Sequence, residues 1–142
     1  MIRNLLRGAA AGGMATTAMS TVMLAGDKLG LMGEQPPKRV ARRLFGRQGE
    51  TPVAIASHFG FGAAGGALLS TLSRGHGVPT WLGAGYGMAI WLASYQGWVP
   101  AIGAMPPAHR DRPGRQAVMI AAHLVYGATL ARSLRSAARS TS

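Results

Sequence analysis

The chain has 142 residues, 15 Lys or Arg against 4 Asp or Glu, and a formal net charge of +11. Only 13% of its residues are charged, 48% are hydrophobic and 21 are Gly, which excludes a charge-rich disordered tail and departs from an ordinary soluble surface, where roughly a quarter of residues are charged. The absence of Cys excludes disulfides, thiol catalysis, Cys-zinc sites and iron–sulfur clusters.

Charged side chains are missing from 8–26, 51–73, 75–109 and 116–131, and cluster between these runs. A hydrocarbon core of about 30 Å, at about 1.5 Å per residue, needs roughly 20 apolar residues to be crossed. The runs predict four transmembrane helices at 5–26, 52–73, 79–100 and 116–136. An amphipathic soluble bundle needs a polar outer face on each helix, and these segments leave none. The first, opened by MIRNLLR, resembles a signal or transit peptide. Its apolar stretch exceeds the usual roughly 7–15 residues and no A-x-A site follows, so it reads as a retained span.

After the first span, EQPPKRVARRLFGRQG stops the helix at Pro36 and Pro37 and lets a new one start there. Val40, Leu44 and Phe45 fall near one face. Region 36–47 is expected to be a short interfacial helix, apolar side in acyl chains, with Lys38, Arg39, Arg42, Arg43 and Arg47 binding anionic lipid phosphates. Adjacency to the membrane favours lipid over nucleic acid as their partner. In the third span, Trp81 and Trp98 lie roughly 25 Å apart along a helix, which suits indoles at two headgroup boundaries. Ser94, Tyr95 and Gln96 are expected to form a polar girdle beside Trp98.

Two halves of the chain match. Val53-x-Ile55-Ala56-x-His58-x-x-Phe61-Gly62-Ala63 parallels Val118-x-Ile120-Ala121-x-His123-x-x-Tyr126-Gly127-Ala128. Pro36-Pro37 is echoed by Pro106-Pro107, and Gly13-Met14-Ala15 by Gly87-Met88-Ala89. The expected fold is all-α, a single integral membrane domain over 1–142. It is a four-transmembrane-helix bundle made of a duplicated helical hairpin (about 5–75 and 79–137), with a pseudo-twofold axis along the membrane normal. Gly8, Gly12, Gly13, Gly62, Gly66, Gly83 and Gly87 fall at small-xxx-small spacing and are the expected helix-packing positions. The two Pro-Pro loops hold nine Lys or Arg and the opposite side six, which tilts the Pro-Pro loops to the cytoplasm.

His58 and His123 sit inside the second and fourth spans. The first reading is structural: each imidazole bonds a neighbouring helix. The alternatives are a proton or small-solute path and a bis-His haem b site. The eight Met read as scattered flexible packing. No carboxylate lies in a span (Asp27, Glu34, Glu50 and Asp111 are in loops), so no catalytic residue and no site for a resident metal other than haem iron is assigned.

The Gly/Ala-rich first span, LMGEQPPKRV and the late HLVYG together resemble the YagU-like small bacterial inner-membrane proteins. The resemblance covers most of the chain and implies a helical inner-membrane protein with no assigned activity or transferable residues. The expected function is a non-enzymatic, multi-pass accessory or assembly component of a bacterial plasma membrane, in a homo-oligomer or larger membrane complex. The alternatives are a haem-carrying electron-transfer subunit and an oligomeric proton or small-solute conduit.

Overall fold

Proline and glycine punctuate the chain where the charge-free runs end. The computed structural model describes residues 1–47 and 50–139; residues 48–49 and 140–142, within the expected single domain, lie outside the described residues. The helices are α1 (Ile2–Lys28), α2 (Pro36–Phe45), α3 (Glu50–Leu72), α4 (Thr80–Leu92), α5 (Val99–Ala101) and α6 (Pro113–Arg139). A π-helical turn at Ala93–Trp98 joins α4 to α5, and a 3₁₀ turn covers Ala108–Arg110. No strand occurs among the described residues. Pro36 starts α2 and Gly46, at φ 80°, ends it in the left-handed region that glycine enters at little cost.

The long helices alternate in direction. Asn4 lies against Gly75, and Gly77 against Arg135, at one end of the bundle. At the other end Leu31 meets Gly114, and Arg115 bonds the Met32 carbonyl. Thus α1 and α4 run one way, α3 and α6 the other. Two antiparallel pairs result, α1 with α3 and α4 with α6, joined where α1 packs on α6. Small residues set both crossings. Gly8 and Gly12 abut the backbone of Gly66 and Gly62, while Gly83 and Gly87 abut that of Gly127 and His123. With no Cβ in the way, the backbones approach closely enough for dispersion to hold them.

Of the seven glycines expected to pack helices, Gly13 does not: a Cβ there would meet nothing within 4 Å. Gly127 takes a packing place instead. By contact, Gly12 of α1, against Gly62, corresponds to Gly83 of α4, against Gly127. The Gly-Met-Ala landmark equates Gly13 with Gly87, which face different surroundings.

Among the described residues, two helices are long and apolar enough to cross a membrane by length and composition: α3 from Thr51 to Leu72, and α6. The four expected spans coincide in position with helices, but only two meet this standard. α1 is long, yet Ala, Gly and Thr make its middle only weakly apolar. α4 stops as an α-helix at Leu92, where the π turn begins.

The burial of Tyr95 corrects the expected girdle. Tyr95 is buried at 3% exposure and donates to the Asp111 carboxylate. Tyr95 lies one turn after the buried Trp91, on the same face as Gly83 and Gly87, and its ring meets that of Trp91 at 5.9 Å. Gln96 and Trp98 stay exposed.

Candidate functional site

Between α3 and the α4–α6 pair the bundle parts and forms a partly open cavity of about 280 Å³. Its floor is the α1–α6 seam, represented by Thr16, Met19, Met23 and Met119. Its roof is α2, whose Pro36, Pro37, Val40 and Ala41 face inward. This changes the expected role of α2: Ala41 is 1% exposed and Val40 packs on the core, so much of the apolar face covers the bundle. Leu44 and Phe45 remain exposed at the cavity edge.

The basic face of α2 is tied down locally. Arg39 and Arg42 pair with Glu34, and Arg43 Nε–H donates to the Ile102 carbonyl at 2.7 Å. Arg47 is exposed and Lys38 half-buried. The five residues expected to bind lipid thus lie along one end of the bundle, two of them sharing one carboxylate.

His58 from α3 and His123 from α6 both line the cavity. The His123 Nδ1 atom lies 2.8 Å from the Met119 carbonyl. A carbonyl only accepts, so Nδ1 carries the proton, and in the neutral ring Nε2 keeps a free lone pair. The His58 Nε2 atom is buried and has no hydrogen-bond partner among the described residues. The structural reading, in which each imidazole bonds a neighbouring helix, therefore fails for His123, whose bond is within its own helix.

Two tyrosines tie the cavity walls together. Tyr126 Oη–H donates to the Gly62 carbonyl at 2.7 Å, and Tyr86 Oη–H to the Gly65 carbonyl at 2.8 Å. Because each of these carbonyls sits in a helix, loss of one hydroxyl leaves the backbone bonded. Tyr126→Phe is expected to lower stability by about 1 kcal/mol, read as a shift in thermal midpoint in detergent, with Tyr86→Phe adding a similar loss.

The paired histidines do not fit a haem. A porphyrin needs a continuous slot between its two axial imidazoles. The cavity that the histidines line, about 280 Å³, holds one small ring rather than a four-pyrrole macrocycle, and Tyr126 ties α6 to Gly62, one turn from His58, across its wall. No group of three or more His, Cys, Asp or Glu able to hold a metal occurs among the described residues. Four of the eight methionines, Met19, Met23, Met105 and Met119, line the cavity. The sequence reading had no signal for this gathering, because they come from three separate segments.

At the roofed end lies a buried ion pair whose members are expected from the sequence to lie in a loop. Arg115 Nη1 donates to both Asp111 carboxylate oxygens at 2.9 Å, and Nε–H donates to the Met32 carbonyl at 2.7 Å. The two side chains are 6% and 4% exposed. The Asp111 carboxylate also accepts from Tyr95 Oη–H and from the Arg112 amide. Burial pushes the Asp111 carboxyl up, but the bonds from Tyr95, Arg112 and Arg115, with the Arg115 charge, outweigh it and hold the group below its ordinary value.

One family, described as DUF6789, a family of unknown function, matches residues 2–142. No curated protein and no solved structure matches the chain.

Proposed function

The chain belongs to the DUF6789 family, and from that premise we propose that it is a multi-pass integral membrane protein that acts without catalysis, as a small accessory or binding component. In this reading α1, α3, the α4–α5 segment and α6 each cross the bilayer, as a duplicated hairpin. The matching glycine crossings of α1 on α3 and α4 on α6 support the duplication.

The observation that carries the reading is where the apolar side chains point. Only 28% of the apolar window in α3 is buried. Ile55, Phe61, Leu68 and Leu72 are each more than half exposed. A core helix of a soluble protein hides such residues, and monomers in water rarely expose apolar patches larger than a few hundred Å². Leu6, Met14 and Leu24 on α1, and Trp81 and Leu92 around α4, are similarly outward. Lipid is the solvent that suits this surface.

A conduit is the less favoured reading. The tyrosine bonds close the cavity toward one end of the bundle and α2 covers it toward the other.

The protein is expected to stay with membranes after an alkaline carbonate wash. Its lack of Cys permits single-cysteine labelling without background. His76→Cys and Arg47→Cys are expected to react with an impermeant maleimide from opposite faces of sealed vesicles. Recovery in the wash, or labelling from one face only, would overturn the reading.

A further inference from the structure

We propose that the cavity beneath α2 is a binding site for a lipid-soluble phenolic ring, of the quinol class, held by a hydroxyl donated to His123 Nε2. The proposal rests on the membrane reading above, which places the cavity's open edge in lipid.

Size comes first. An apolar cavity of about 150 Å³ stays dry and binds benzene. This one, at about 280 Å³, takes a six-membered ring with several small substituents but not a long chain as well. A tail on the ring would have to leave by the edge between α3 and the π turn. There Phe61 and Trp98 approach at 6.2 Å between ring centroids, and both are exposed. If Trp98 marks the headgroup boundary, the edge lies at the depth where amphiphiles hold their polar ends. Methionines on the floor supply a wall that adapts to a flat guest.

Polarity then selects the guest. A charged ligand would be buried without a countercharge, since Glu34 and Asp111 are already paired outside the cavity. A pure hydrocarbon would leave the His123 Nε2 lone pair without a donor. His123 offers only an acceptor, because its Nδ1 proton is committed to Met119. The guest must therefore supply an O–H, so a hydroquinone meets the requirement and a quinone does not. His58 lines the same cavity, with its Nε2 atom itself buried beneath the surface.

The test uses the full chain in lipid nanodiscs and isothermal titration with three probes: trimethylhydroquinone, its dimethyl ether, and trimethylquinone. The expected result is one site per chain, with the hydroquinone bound roughly 10–100 times more tightly than either probe lacking a hydroxyl. His123→Phe removes the acceptor and is expected to abolish this preference while leaving weak ring binding. Should that variant fail to fold, Val40→Phe, which fills the cavity from the roof, is expected to abolish binding of all three. Equal affinity for the three probes, no binding to folded wild type, or binding untouched by Val40→Phe overturns the proposal. Failure of the carbonate-wash experiment would instead strike the membrane reading, and the two outcomes are read separately.

Discussion

Gly87→Leu is expected to destabilise the protein by about 3 kcal/mol, because the new side chain would be driven into backbone. A Cβ at Gly87 already falls within contact distance of the His123 carbonyl, and one at Gly127 falls on the Gly83 carbonyl. Backbone cannot rotate away as a side-chain tip can, so α4 and α6 must separate and lose the dispersion contacts along their seam. Gly12→Leu is expected to do the same to α1 and α3, since its Cβ would meet the Gly62 carbonyl. Gly13→Ala is the contrast. It is one residue away and opens onto free space, so stability is expected to hold or rise slightly, as alanine favours the helix. Unfolding midpoints in mixed detergent and SDS measure all three. A fully stable Gly87→Leu variant beside a destabilised Gly13→Ala would show the packing register to be wrong.

Arg115→Leu is expected to cost about 3–5 kcal/mol, the usual penalty for stranding one member of a buried ion pair. Asp111 would lose the guanidinium that donates to both its oxygens, and Met32 would lose the donor to its carbonyl. Replacing both partners, Arg115→Leu with Asp111→Asn, is expected to recover part of the loss, because no naked charge remains. The pair also sets an acid limit. Since the folded state holds the Asp111 carboxyl below its ordinary value, its contribution is complete above that value. It disappears as pH falls through the lowered one, in the range below about pH 4. In Arg115→Leu the acid-unfolding midpoint is expected to move to higher pH. An unchanged midpoint would mean that the pair carries no stability.

The sequence made the helices legible because charge avoids both lipid and packed interiors. The charge-free runs 8–26, 51–73 and 116–131 fall within α1, α3 and α6 to within a residue or so. The run 75–109 holds more, since it contains α4, the π turn and α5, with Gly97 and Pro100 at the break. Tyr95 continues the buried face of Gly83, Gly87 and Trp91 at four-residue spacing, a pattern that grouping it with its polar neighbours Ser94 and Gln96 concealed. Gly12 and Gly13 are indistinguishable as letters, and only the approach of α3 decides which of them is indispensable. Of the candidate site, the two histidines were visible as matched positions in a repeat.

What the sequence determined by itself was the order and extent of the long helices, the small-residue spacing of their contacts, and the proline-started basic helix after the first. These are local or one-dimensional properties, fixed by where charge, proline and glycine fall. The tertiary structure alone decided that α2 folds over the bundle, that Arg115 and Asp111 share a buried pocket with Tyr95, and that His58, His123 and four methionines meet around one cavity. Such meetings join residues far apart in the chain, and helical period carries no information about which faces will oppose each other until the backbones have packed.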